Sequence, residues 1–241
     1  MITLAVFDMA GTTIDDGGAV YDALRLAVEE TGVPVSPADL QTWMGTEKRA
    51  AITALIELGG GDPLQPADRV DAAFDRFRAI LDELYTARPP APIAGVPEAI
   101  AALRASGVRV ALTTGFSRDV AEGILDQLGW TVGEPAAAPA EHDGAAGTVI
   151  DALVCGDEVA AGRPAPYMIH RAMELTGTLA VAEVLVAGDT AVDVQAGANA
   201  GAAITIGVLS GKLDRPAFEG QPYTALLGSV AEVPAHLAPQ A

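Results

Sequence analysis

Short apolar runs alternate with longer amphipathic stretches along most of the chain. Residues 2–7, 108–113, 152–155, 184–187 and 203–208 are each brief, apolar and followed by glycine or a polar turn, which is the pattern of a strand buried on both faces. Between them, residues 96–105, 117–128 and 166–175 repeat their apolar positions at the helical period. Strand, helix, strand in this order predicts an α/β core with a doubly wound parallel sheet and helices on both faces. Chemistry in such sheets collects at the carboxyl ends of the strands, so the residues that follow each run are the ones to inspect.

One stretch breaks the alternation. From about residue 20 to 85 the period is helical throughout, and residues 21–30, 37–44, 48–58 and 67–85 read as four helices, with Gly59-Gly60-Gly61-Asp62-Pro63 as a turn. The chain then passes through Arg88-Pro89-Pro90-Ala91-Pro92, a stiff linker. The expected organisation is a core of residues 1–15 and 93–241 and an inserted all-helical cap domain of residues 16–92, overhanging the carboxyl end of the first strand. The alanine-rich residues 135–146 read as a loop, and residues 214–241 as a short final strand and helix with a frayed tail.

Composition narrows the partners. With 241 residues, half of them hydrophobic, 26 glycines and 16 prolines, the chain is globular rather than low-complexity. A net charge of −18 repels phosphate backbones and anionic lipid, so no nucleic acid and no membrane surface is expected as a partner. A small anionic substrate would then need a local positive site of metal, backbone amides or chosen cations. A single cysteine, Cys155, excludes an intramolecular disulfide, and with no basic leader before the first strand the expected location is cytoplasmic. No apolar run is long enough to span a bilayer.

The strand ends carry the chemistry. After the first strand comes Asp8-Met9-Ala10-Gly11-Thr12-Thr13, a carboxylate at the mouth of the sheet followed by a turn suited to face a phosphoryl group. On its own, Asp8 could equally be a turn or capping residue. The second strand ends in Thr113-Thr114-Gly115 before a helix, offering a hydroxyl and open amides. The fourth ends in Gly188-Asp189-Thr190-Ala191-Val192-Asp193, whose carboxylates four apart are expected to share one face of a helical turn and, beside Asp8, to make an oxygen-rich site for Mg2+. Shortly after the third strand lies Arg163, between Gly162 and Pro164, for which an ordinary salt bridge is the alternative role.

In this order the motifs resemble the haloacid dehalogenase superfamily of hydrolases over nearly the whole chain. The resemblance implies a Rossmann-like core, with Asp8 as the nucleophile that becomes an aspartyl-phosphate. It further implies that Gly11, Thr12, Thr114 and Gly115 hold the phosphoryl group and that Arg163 neutralises its charge. Asp8, the Ala10 carbonyl and Asp189 would bind Mg2+, with Asp193 behind them orienting the metal's surroundings. Phosphatases of this superfamily carry an acid two residues after the nucleophile, where this chain has Ala10. General acid catalysis is commonly worth about 10²–10⁴-fold, so the leaving group must need no proton from that position, or another residue must supply it.

The helical insert offers an answer in Trp43-Met44-Gly45-Thr46-Glu47-Lys48. The chain uses 12 arginines and only two lysines, Lys48 and Lys212, so lysine here is the exception. Lysine can form a Schiff base and arginine cannot, although a surface helix lysine remains the plain alternative. Asp-x-Ala-Gly-Thr-Thr together with Met-Gly-x-x-Lys resembles the phosphonoacetaldehyde hydrolases, the phosphonatase branch of the superfamily. That resemblance implies an imine between Lys48 and an aldehyde phosphonate, Met44 at the substrate, cleavage of the C–P bond with an enamine leaving group, and a homodimer through the cap. Members of the branch carry a histidine three residues after the lysine and a cysteine ten after the nucleophile; here these positions are Ala51 and Gly18.

Two other readings stand beside this one. A phosphatase of a small phosphate ester would use Lys48 or Glu47 for substrate contact without an imine, and a silent binding protein would have kept only the fold. His142, His170 and His236 lack metal-ligand spacing, and Cys155 reads as a core thiol.

Overall fold

The structure is a computed structural model, and it describes residues 1–133 and 147–238. The alanine-rich loop expected at 135–146, with His142, and the tail from 239 lie outside the described residues. The chain divides into two compact units, Met1–Asp15 with Ala91–Ala241, and Asp16–Pro90.

The first unit is built on a parallel sheet of β1 (Leu4–Asp8), β2 (Arg109–Thr114), β3 (Ala152–Cys155), β4 (Val184–Gly188), β5 (Ile204–Val208) and β6 (Ala225–Leu227). Their order across the sheet is β6-β5-β4-β1-β2-β3, and every neighbouring pair is parallel. The four central strands are buried almost throughout, which is why they read as apolar runs rather than as alternating ones. The order runs away from β1 in both directions, so β1 and β4 border the topological switch point, where open α/β sheets place their ligands. Asp8 ends β1, and Asp189 follows directly on β4.

In the second unit, α1 (Ala19–Glu29), α2 (Pro37–Thr42), α3 (Lys48–Leu58) and α4 (Arg69–Ala87) form a helical group with its own buried residues, among them Leu24, Val28, Ile52, Leu55, Phe77 and Leu81. Their starts follow local chemistry. Both carboxylate oxygens of Asp16 accept from the first turn of α1, at Gly18 N and Val20 N. Ser36 accepts from Asp39 N ahead of Pro37, and Glu47 accepts from Arg49 N and Ala50 N.

The α/β unit carries α5 (Val96–Ala105), α6 (Arg118–Leu128), α7 (Tyr167–Thr176), α8 (Ala191–Ala200) and α9 (Val233–Leu237). Met168, Ile169, Ala172 and Met173 of α7 and Ala196 and Ala200 of α8 close over one sheet face at Leu4, Val6, Val154 and Val186. Helix α5 packs on β2 and against α9 with Val96, Ile100 and Leu103 buried. Within this unit Ile14–Asp15 pairs antiparallel with Ala91–Pro92, so the two ends of the α/β chain at the helical insertion lie side by side. No described helix is long and apolar enough to cross a membrane.

Candidate active site

The first turn of the site is tied by one carbonyl. Met9 O accepts from the N–H groups of Thr12, Thr13 and Ile14, while the Thr13 hydroxyl donates to Asp8 O at 3.0 Å. Gly11 sits at φ +85, and a Cβ there would lie 2.5 Å from Asp189 Oδ2, so both its conformation and its contact require glycine. The Thr12 hydroxyl donates to Asp189 Oδ1 at 3.0 Å.

Strand register brings the second element in. Asp8 lies beside Thr113 of β2, and residues in register on parallel neighbours point to the same face. Arg163, from the loop between β3 and α7, joins them: its Nη1 stands 2.7 Å from Asp8 Oδ1 and 2.9 Å from Asp193 Oδ1, and its Nη2 donates to Thr113 Oγ1 at 3.0 Å. That loop is held by Asn199 Nδ2, which donates to Pro164 O at 2.8 Å. Asp193 lies in the first turn of α8 and accepts from both the amide and the hydroxyl of Thr190.

Asp189 and Asp193 do not share a helical face as expected. Asp189 precedes α8 and turns to Thr12, whereas Asp193 lies inside the helix, caps its start and turns to Arg163. Thr114 is buried at the end of β2, and its hydroxyl accepts from Phe116 N at 3.2 Å, closing a local turn around Gly115 that leaves the hydroxyl proton free to donate. Thr113, rather than Thr114, contributes its hydroxyl to the Asp8–Arg163 group. Only the register of β2 on β1 selects it, and the sequence offers two adjacent threonines. Ser210 was also missed: its hydroxyl donates to Gly11 O at 2.8 Å across 199 residues of chain, a pairing that leaves no trace in local pattern.

The electrostatics follow from burial. Asp8 is 7% exposed. Desolvation pushes its carboxyl up to about 6, against the pull of Arg163 and with the push of Asp193. Desolvation also raises Asp189 well above the usual carboxylate range, reinforced by Asp8 and Asp193. Burial opposes the charge on Arg163, yet Asp193 and Asp8 hold its guanidinium above the ordinary value. Three buried carboxylates thus face one buried guanidinium, a charge imbalance that a divalent cation would relieve. The donors are all hard oxygens, and Mg2+ is usually held by one or two carboxylates plus water and substrate oxygens. The residues therefore fit Mg2+, with Asp8, the Ala10 carbonyl and Asp189 as its candidate ligands. Among the described residues no three His, Cys, Asp or Glu side chains are placed to hold a metal together, so such a site would rest on two carboxylates, a backbone carbonyl and water or substrate oxygens.

In the helical unit, Lys48 is the first residue of α3, only 4% exposed, and its Nζ donates to Thr46 O at 3.1 Å. Its turn contains Gly45 at φ +79, and the Thr46 hydroxyl donates to Trp43 O. Met44 is buried. The Glu47 carboxylate is engaged in capping α3, and Arg49 turns to Asp71 and lies 4.2 Å over the Phe74 ring. Ala51 is fully buried, and Gly18 takes φ +86 ahead of α1. Burial pushes the Cys155 thiol up to about 12, leaving it inert as a nucleophile at neutral pH.

A parallel α/β sheet with an aspartate ending its first strand, a buried arginine and an acidic fourth strand end defines a class of hydrolases. The chain belongs to the haloacid dehalogenase-like hydrolases, whose family pattern it matches over residues 2–201. It is 31% identical over 217 residues to a phosphonoacetaldehyde hydrolase of Paraburkholderia xenovorans (strain LB400), covering 86% of this chain and 74% of that one. A Bacillus cereus protein of the same name is also 31% identical, over 221 residues, covering 87% and 76% of the two chains. The crystal structure of a phosphonoacetaldehyde hydrolase-like protein from Oleispira antarctica shares the fold, with a TM-score of 0.74 at 21% identity and coverage of 96% and 90%.

Proposed function

We propose that this hydrolase is Mg2+-dependent, works through an aspartyl-phosphate on Asp8, and cleaves the C–P bond of a small aldehyde phosphonate such as phosphonoacetaldehyde. The observation that carries the phosphoryl half is the group Asp8–Arg163–Asp193 with Asp189 beside it. The C–P half rests on Lys48, on Ala10 in place of an acid, and on the similarity to the phosphonoacetaldehyde hydrolases.

In this reading the neutral Lys48 amine adds to the substrate aldehyde, takes up one proton from solvent and expels water, giving a protonated imine. The step needs Lys48 as the neutral amine. Asp8 Oδ then attacks phosphorus. As the C–P bond breaks, its electron pair moves into a carbon–carbon double bond and neutralises the iminium, so an enamine leaves and no acid at Ala10 is required. Protonation at carbon and hydrolysis return Lys48 and acetaldehyde, and water cleaves the aspartyl-phosphate to phosphate. Mg2+ would supply charge neutralisation between the carboxylate nucleophile and the anionic phosphoryl group. Arg163 orients Asp8 and balances phosphoryl charge, while Asp193 and Thr113 hold the guanidinium in place. The Thr114 hydroxyl and the amides around Gly11, Thr12 and Gly115 complete the phosphoryl cradle.

The test is phosphate release with Mg2+ from phosphonoacetaldehyde beside a panel of small phosphate esters, with borohydride in parallel samples. Release from the aldehyde phosphonate, with substrate-dependent inactivation and a mass adduct on Lys48, is expected. Lys48→Arg keeps the charge and should lose both the adduct and C–P cleavage. Turnover of esters alone without an adduct would replace this reading with that of a phosphatase.

A further inference from the structure

The loop that follows β5 touches the site from a side that no strand-end motif marks. Ser210 Oγ donates to the Gly11 carbonyl at 2.8 Å, and the next residue, Gly211, lies flat against Asp189. A Cβ on Gly211 would fall 1.9 Å from Asp189 Oδ2, 2.6 Å from its Cγ and 2.7 Å from its Cβ. The last contact is with the root of the side chain, so swinging the carboxylate would not make room. Gly11 approaches the same oxygen from the opposite part of the chain, and Thr12 fixes the other one. Asp189 is thus gripped between two glycine backbones that Ser210 ties together.

We infer that Ser210 and Gly211 are positioning residues for the Asp189 carboxylate, setting the side-chain conformation in which it serves as a metal ligand. The inference rests on the Mg2+ reading above. Groups that orient a metal ligand from behind commonly change affinity about 10–100-fold when altered. Gly211→Ala should therefore weaken Mg2+ binding within that range, because the added methyl displaces the carboxylate. Ser210→Ala should weaken it several-fold by loosening the Gly11 turn from the loop, and Ser210→Thr, which retains the hydroxyl, should restore most of it.

The experiment is Mg2+ titration by calorimetry on the intact chain, with thermal unfolding of the metal-free protein alongside, for the parent, Asp189→Asn, Gly211→Ala, Ser210→Ala and Ser210→Thr. Weakened Mg2+ binding in Gly211→Ala and Ser210→Ala, with recovery in Ser210→Thr, supports the inference. A merely structural role would shift metal-free unfolding and leave Mg2+ affinity within twofold of the parent, which overturns it. If Gly211→Ala does not fold, the two Ser210 variants decide. A parent that binds Mg2+ and loses it in Asp189→Asn isolates such a failure to this loop, whereas a parent that binds no Mg2+ overturns the metal reading and this inference together.

Discussion

The two units of the chain differ in how completely their buried polar atoms are paired. In the α/β unit the buried charges of Asp8, Arg163, Asp189 and Asp193 are cross-bonded to one another and to Thr12, Thr113 and Thr190. In the helical unit two buried polar atoms, Gln41 Nε2 and Tyr85 Oη, have no hydrogen-bond partner among the described residues. The cost of burying charge is offset in the α/β unit by this cross-bonding, which fixes the charged groups in place so that they would act without reorganisation in the proposed reaction. The helical unit is also where this chain departs from the phosphonatase pattern, at Ala51 and Gly18. The Asp8–Arg163 group and these two departures therefore sit in different units.

The sharpest way to break the comparison is at Asp8. Asp8→Ala should abolish phosphate release by on the order of 10⁴-fold or more, while metal-free stability rises, since a carboxylate held against desolvation is removed. Phosphate release assays and urea unfolding of the same sample check both halves. Arg163→Ala should act in the opposite direction on stability. It leaves Asp8 and Asp193 buried without their counter-charge, a loss of about 3–5 kcal/mol by the measure of other broken buried pairs, with turnover down about 10²-fold or more.

A smaller effect is expected with pH. Asp8, pushed up from 3.8 to about 6 by burial, holds a proton in the folded chain that the unfolded chain has already released across that window. Asp189 is displaced in the same direction. Folding is then favoured at the acid end, and metal-free stability should fall as pH rises from about 4 to 6, by up to about 1.4 kcal/mol per pH unit for each group. Thermal melts across this range should show the slope, and Asp8→Asn should reduce it. The smallest effect tests the other unit: Tyr85→Phe deletes a buried, unpartnered hydroxyl and should stabilise the chain by about 1 kcal/mol in urea melts.

Much of this was legible along the chain, but unevenly. Strands buried on both faces must be apolar, so β3 was bounded to the residue and β1, β2, β4 and β5 to within two residues. Helix starts at Pro37, Lys48 and Val96 were readable to the residue, whereas those of α1 and α4 drifted by two. Asp8, Arg163 and Asp189 stood out because a charged residue at the end of an apolar strand, or pinned between glycine and proline, is locally anomalous. Thr113 did not, since its neighbour Thr114 is the same residue and only strand register separates their roles.

By itself the sequence determined which segments could become strands or helices, that a helical stretch interrupts the sheet, and which ionisable groups stand at strand ends. Those are consequences of local period, backbone preference and the cost of burying charge, and they need no knowledge of distant neighbours. Tertiary structure alone decided that Arg163 bridges Asp8 and Asp193, that Asp189 turns to Thr12 while Asp193 caps its own helix, and that Ser210 and Gly211 reach the same carboxylate. Each of these depends on which side chains the parallel register and the βα loops bring within about 3 Å of one another, and hydrogen bonds lose their strength beyond that distance.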